Sequence, residues 1–266
     1  MIRYREHAVA LLAAVAVTSL WSCSNDKSAP KAGGQTSSEP VIVSAAASTK
    51  EVVETLAQQF QEQTRTDVKI NTGPSNGLAA QVLAGAPADL FLSASQQWAD
   101  EIQKGGQADA MVRLLTNRLV LVVPKGNPAH VHEPKDLLSA KVQKIALAGE
   151  KVPAGIYAAQ ALGKLGLLKQ LQGDGRIVRG QDVRNALSYV DRGEAEAGIV
   201  YSTDVAAAPG SEIVYEFDPS LHDEIVYVLV LLKHGGSLPS VRKFYDFLQL
   251  PECDAVYMKF GFQRLH

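Results

Sequence analysis

The sequence is poor in the residues that staple small folds together. Only two cysteines, Cys23 and Cys253, occur in 266 residues, too few for a disulfide framework or a CxxC-type zinc site. An excess of positive charge is missing as well: 26 Lys and Arg face 28 Asp and Glu, a formal net charge of −2. Without a basic stripe to displace phosphate counterions, nucleic acid is not expected as a partner. The chain contains no HExxH, GxxxxGK[ST] or GxGxxG, and its six histidines form no i, i+4 pair on an expected helix. The commonest signatures of metalloproteases and nucleotide enzymes are therefore lacking, and no enzymatic activity is expected. His130 and His132 flank Val131 in a Pro-punctuated loop, for which a solvated turn is the plainer reading than a metal pair.

What is present begins with an export signal. Arg3 and Arg5 precede an apolar run from Ala8 to Trp21, about 14 residues where roughly 20 are needed to span a membrane as a helix. Residues 1–22 read as a signal peptide, and Leu20-Trp21-Ser22-Cys23 as a lipobox in which Cys23 becomes the lipidated first residue. Residues 23–40 are rich in Ser, Gly, Lys and Pro, a composition that cannot offset its ordering entropy, and read as a flexible tether. Localisation is expected to be periplasmic, with the membrane reached only through Cys23. Cys253, in an apolar C-terminal helix pattern, reads as a core thiol.

From Val41 onward short apolar runs alternate with amphipathic stretches. Val41-Ile42-Val43 is followed by a helix pattern with Val52, Leu56 and Phe60 at four-residue spacing, and Val68 to Ile70 and Leu90 to Leu92 repeat the alternation. This order implies an α/β fold with parallel sheet covered by helices on both faces. A second series includes Leu119 to Val123, Lys144 to Leu147, a helix from Pro153 to about Leu171, Ile177-Val178, a helix from Gln181 to Arg192, and Gly198 to Tyr201. The continuously apolar Glu224 to Leu232 and two further helix patterns return to the first unit. The expected layout is a discontinuous first lobe, 41–118 plus 225–266, and a second lobe, 119–224.

Ligands of open α/β sheets sit beyond the carboxyl ends of the strands, where helix N-termini gather. Four junctions have small or hydroxyl residues there. Ser48 follows three alanines and has capping-box spacing to Glu51, so it either caps its own helix or faces a ligand. Ser75 lies in the turn Gly73-Pro74-Ser75-Asn76-Gly77. Pro153 suits the first turn of a helix in which Ala154 and Gly155 allow close backbone approach. Asp182 is an expected N-cap, and Tyr201 ends a strand, where a packed core aromatic is the alternative reading. Together these neutral N–H and O–H donors would form an anion cage without a cation, each helix end contributing about 0.3–1 kcal/mol near the surface.

At these positions the sequence resembles the molybdate-binding proteins of bacterial ABC transporters. The similarity runs from about Val41 to the C-terminus and is carried by Ala45-Ala46-Ala47-Ser48, the Gly73 to Leu78 turn, Gly85 to Phe91, Val152 to Ala158, Asp182-Val183-Arg184 and Gly198 to Tyr201. The resemblance implies a two-lobed periplasmic-binding-protein fold (class II type) closing on one tetrahedral oxyanion, molybdate or tungstate. It assigns ligand contacts to the hydroxyl and N–H of Ser48 and Ser75, the N–H of Ala154 and Val183, and the Tyr201 hydroxyl. It further implies no cofactor, no directly coordinated metal, a monomer, and an ABC-transporter permease as partner. Pro74 and Asn76 stand where relatives carry a neighbouring Ser and Gly, and Gly149-Glu150-Lys151 replaces a familiar Asp-Pro turn. Another anion such as sulfate or phosphate, or an extracellular enzyme or sensor domain on the same fold, are the alternatives.

Overall fold

The computed structural model describes residues 39–265; the expected signal peptide, Cys23 and nearly all of the tether lie outside the described residues. The first series comprises β1 (Val41–Ala46), α1 (Lys50–Thr64), β2 (Val68–Gly73), α2 (Ser75–Leu83), β3 (Leu90–Ser93), α3 (Gln96–Lys104) and β4 (Ala108–Thr116). The second comprises β5 (Leu119–Pro124), β6 (Ile145–Ala148), α4 (Pro153–Lys164), α5 (Leu168–Gly173), β7 (Ile177–Gly180), α6 (Val183–Asp191), β8 (Ala197–Tyr201) and β9 (Ser211–Glu216). The chain ends with β10 (Val226–Leu232), α7 (Lys233–Gly236), α8 (Pro239–Phe247), α9 (Asp254–Lys259) and β11 (Gln263–Arg264).

Two sheets result, one of six strands in the order β11-β4-β10-β3-β1-β2 and one of five in the order β7-β6-β8-β5-β9. The fold is α/β with two lobes. The first sheet takes strands from both ends of the chain, and the connections β4 to β5 and β9 to β10 pass between the sheets. Thr116 in the first connection donates its hydroxyl to the Ile225 carbonyl in the second at 2.7 Å, so the two crossings run side by side. Neither sheet is wholly parallel, as alternation alone had implied. β1, β2 and β3 run parallel, but β10 is antiparallel to both β3 and β4, and β5 is antiparallel to β8 and β9. A β-α-β crossover returns the chain parallel to its starting strand, whereas a strand that arrives from the other sheet is free to pair antiparallel.

All seven residues of β10 are buried, which explains its unbroken apolar sequence: a central strand covered on both faces has no solvent side on which to place polar residues. On α1 the four-residue spacing buries Val52, Leu56 and Phe60 on one face. The Phe60 ring lies 4.8 Å from that of Phe244 and 5.3 Å from that of Phe247 on α8, so the end of the chain packs directly onto its first helix. Each such buried ring or aliphatic side chain contributes about 1.5–3 kcal/mol. Cys253 is buried and donates its thiol to the Phe247 carbonyl, and burial pushes the thiol up to about 11, as an inert core residue requires.

Three local expectations change. The helix expected from Pro153 to Leu171 is two helices, broken at Gly166, whose φ of +73° suits a glycine helix stop. β4, β9 and β11 are strands that the sequence pattern did not signal. Ser48 is not an N-cap: Ala47–Thr49 forms a 3₁₀ turn running into α1, no side chain caps it, and Glu51 points elsewhere. His130 and His132 are exposed in a loop held by Asn127, whose side-chain amide bonds both the N–H and the carbonyl of Val131.

Candidate functional site

The carboxyl ends of strands in both sheets meet around one small cavity. Ser48, Ser75, Ala154, Val183 and Tyr201 all line it, beside Ala47, Pro74, Ala94 and Asp182. Among the described residues no Lys, Arg or His lines it. The five residues, spread over more than 150 positions of sequence, therefore come together at one place between the lobes.

On the first lobe's side the donors are hydroxyls held from behind. Pro74, with φ −67° and ψ 132°, leads directly into α2 and puts Ser75 at its first position. The Ala94 N–H donates to Ser75 Oγ at 3.0 Å; with that lone pair used, the Ser75 O–H is left to donate. Ser48 Oγ lies 2.9 Å from Tyr227 Oη, reaching back to β10 rather than to its own helix. Both serines are almost wholly buried.

On the second lobe's side the donors are backbone groups and one phenol. Pro153 occupies the first position of α4 and lacks an N–H, so the Ala154 N–H is the first donor of that helix. A Cβ on Gly155 would lie 2.2 Å from the Gly149 carbonyl oxygen and 2.5 Å from that of Ala148. Only glycine lets the start of α4 sit this close to the end of β6, and it does so across the Gly149-Glu150-Lys151 turn. Asp182 caps α6 by accepting from the Asn185 N–H at 2.8 Å, leaving Val183 as the first helical residue. First-turn N–H groups have no intrahelical acceptor, so Ala154 and Val183 present theirs to the cavity's edge. Tyr201 is buried, and its hydroxyl has no hydrogen-bond partner among the described residues. Burial, reinforced by the neighbouring Tyr227 and Tyr157, raises the Tyr201 phenol well above its ordinary value, so it remains a neutral donor.

An ion cluster with a buried carboxylate flanks the cavity. Arg184, next to Val183, places Nη2 2.5 Å from Glu51 on α1 and Nε 2.8 Å from Asp204. The second contact lacks hydrogen-bond angles, but charge attraction at that distance has little angular dependence. Asp204 is fully buried and its carboxyl is pushed up to about 7, burial outweighing the opposing pull of Arg184. Its Oδ2 accepts the Tyr201 backbone N–H at 3.3 Å. Arg184 thus ties the first turn of α1, the start of α6 and the end of β8 to one another. Sequence reasoning did not join these three: Glu51 reads as a capping-box partner of Ser48 and Arg184 only as part of the Asp182-Val183-Arg184 motif, and it did not single out Asp204. It also missed Tyr227 and Asn117; the lone Tyr in an otherwise aliphatic β10 was the available signal.

The chain as a whole is similar to known proteins. The family model described as bacterial extracellular solute-binding protein matches residues 41–263. The molybdate-binding protein ModA of Escherichia coli (strain K12) is 37% identical over 232 residues, 84% of this chain and 88% of that protein. The molybdate-binding protein ModA of Haemophilus influenzae is 33% identical over 235 residues, 85% and 90% of the respective chains. Among solved structures, the periplasmic molybdate-binding protein of Azotobacter vinelandii is similar with a TM-score of 0.77 at 27% identity, covering 85% of this chain and all of that one. With the match spanning both sheets and every junction of the cavity, this chain belongs to the bacterial extracellular solute-binding protein family.

Proposed function

We propose that this protein is the substrate-binding component of an ABC importer and captures molybdate, or tungstate, as a fully deprotonated tetrahedral oxyanion. Its ligand contacts are the hydroxyl and N–H of Ser48 and Ser75, the N–H of Ala154 and Val183, and the Tyr201 hydroxyl. The observation that carries this reading is the buried, unpartnered Tyr201 hydroxyl converging with those donors on a cavity without a lining cation. A buried O–H left unpaired costs about 1–3 kcal/mol, which an oxygen of a bound anion recovers. Neutral donors at helix N-termini stabilise negative charge, and a cage of donors alone disfavours an anion that carries its own proton. The molybdate-binding relatives support the choice of anion.

The bilobal unit is read as 41–118 plus 225–266 against 119–224, acting as a monomer. It is exported by residues 1–22, tethered through residues 23–40 to a lipidated Cys23, and delivers its anion to a membrane permease. Titration calorimetry of the purified protein tests the function. Molybdate and tungstate should bind with similar affinity, and smaller sulfate about tenfold or more weakly, because it leaves at least one donor unpaired. Equal or better binding of sulfate would assign the cavity to a different anion.

A further inference from the structure

Behind Ser48 lies a chain of side-chain hydrogen bonds that the cavity does not touch. Asn117, in the connection from β4 to β5, places Nδ2 2.8 Å from Thr203 Oγ1 and 3.1 Å from Tyr227 Oη. Its amide cannot be turned around, because Oδ1 accepts from the Arg118 N–H at 2.8 Å and from Ser202 Oγ at 3.2 Å. Asn117 Nδ2 is therefore the donor to Tyr227. Tyr227 is wholly buried, and its phenol is raised above its ordinary value, first by burial and then by Asp204, so it keeps its proton. Among the described residues that proton has one acceptor within reach, Ser48 Oγ at 2.9 Å. The opposite arrangement, Ser48 donating to Tyr227, would aim two donors at one phenol oxygen and strand the Tyr227 O–H in a dry site. The order Asn117 to Tyr227 to Ser48 is thus fixed, and the Ser48 proton points onward, away from Tyr227.

We infer that Tyr227 and Asn117 are positioning residues that set the hydrogen-bond polarity of Ser48: by filling one of its two acceptor sites they turn its proton away from Tyr227 and toward the cavity, favouring fully deprotonated oxyanions over those that carry a proton. The inference rests on the reading of the cavity as an oxyanion site and extends it to residues that contact no ligand. The first lobe then has both its hydroxyls committed in the same way, Ser75 by the Ala94 N–H and Ser48 by this relay. A ligand O–H entering the cavity would meet protons on both.

Two substitutions act on the relay differently. Tyr227→Phe removes the proton that occupies the Ser48 lone pair and retains the ring, which packs edge-on against Tyr201 and Phe262. Ser48 then has both lone pairs free and its proton no longer steered, so it accepts more readily. Asn117→Asp replaces the donor to Tyr227 by an acceptor, which reverses the chain: Tyr227 donates to Asp, Ser48 donates to Tyr227, and Ser48 offers lone pairs to the cavity.

The test is the ratio of molybdate to phosphate affinity at pH 8, where phosphate is chiefly a singly protonated dianion, measured for the full folded protein by titration and by competition. Each variant should lower the preference for molybdate about tenfold or more relative to wild type, with Asn117→Asp the larger. A loss of packing alone would weaken both anions together and leave the ratio unchanged, and an unchanged ratio in Tyr227→Phe overturns the relay. If Tyr227→Phe does not fold, the ratio in Asn117→Asp decides by the same criterion. Wild-type protein that binds neither anion overturns both the relay and the reading on which it rests.

Discussion

The two lobes furnish donors to the same cavity in different ways. Besides the N–H groups of Ser48 and Ser75, the first uses their hydroxyls, whose direction depends on partners behind them. The second uses the backbone N–H groups of Ala154 and Val183, whose direction is set by helix geometry, and the Tyr201 phenol, which has no partner behind it. A hydroxyl can be inverted by its neighbours; a backbone N–H cannot. The first lobe is therefore where selectivity can be tuned by substitution, and in the second the Ala154 and Val183 donors are lost only when the backbone moves, leaving Tyr201 as the one donor there that a side-chain substitution removes.

Moving that backbone should have the largest effect. Gly155→Ala forces a Cβ into the Gly149 and Ala148 carbonyls and should lower stability by about 1–3 kcal/mol as overpacking does, with a loss of molybdate binding exceeding that of any single-donor variant. Thermal melts and titration check both parts. Next come the two hydroxyl deletions, which sharpen the contrast between the lobes. Tyr201→Phe and Ser75→Ala should each weaken binding about 10- to 100-fold, as loss of a hydrogen bond to a charged ligand does. In the unliganded protein they should diverge. Ser75→Ala leaves the buried Ala94 N–H without its acceptor and should cost about 1–3 kcal/mol, whereas Tyr201→Phe removes a hydroxyl that had no protein partner and should cost nothing.

The ion cluster that joins the lobes gives smaller effects. Asp204 has its carboxyl raised from 3.8 to about 7 by burial, so the native state holds the proton more tightly than the unfolded chain. Its contribution to stability is fully present below about 3.8 and is lost as the pH rises through about 7. Asp204→Asn should flatten the stability profile across that window, as followed by denaturant titration at several pH values. Glu51→Gln should have the smallest effect, about 0.2–1 kcal/mol, because Glu51 is 40% exposed and its pairing with Arg184 is screened. A larger loss would show that Arg184 has no alternative partner once Glu51 is neutral.

How far this was legible in the sequence follows from what each level depends on. Helix α1 was readable because Val52, Leu56 and Phe60 lie on one face, and β10 because a strand covered on both faces is apolar throughout. β9 was not, since its sequence Ser211 to Glu216 neither alternates cleanly nor is apolar throughout, and its pairing with β5 is a long-range fact. Individually, the cavity residues were ambiguous: a serine at a helix start is as often a cap as a ligand. For Ser48 the cap reading fails for a tertiary reason, since its partner is 179 residues away. The same holds for Asn117 and Arg184, whose roles exist only once the two sheets face each other.

The claim on which the rest depends is that the cavity holds a fully deprotonated dianion with neutral donors alone. Molybdate titration at pH 8.5, above the Asp204 carboxyl, in buffers of different ionisation enthalpy measures the protons exchanged on binding. The account predicts none taken up or released, and uptake of a proton per anion bound would contradict it.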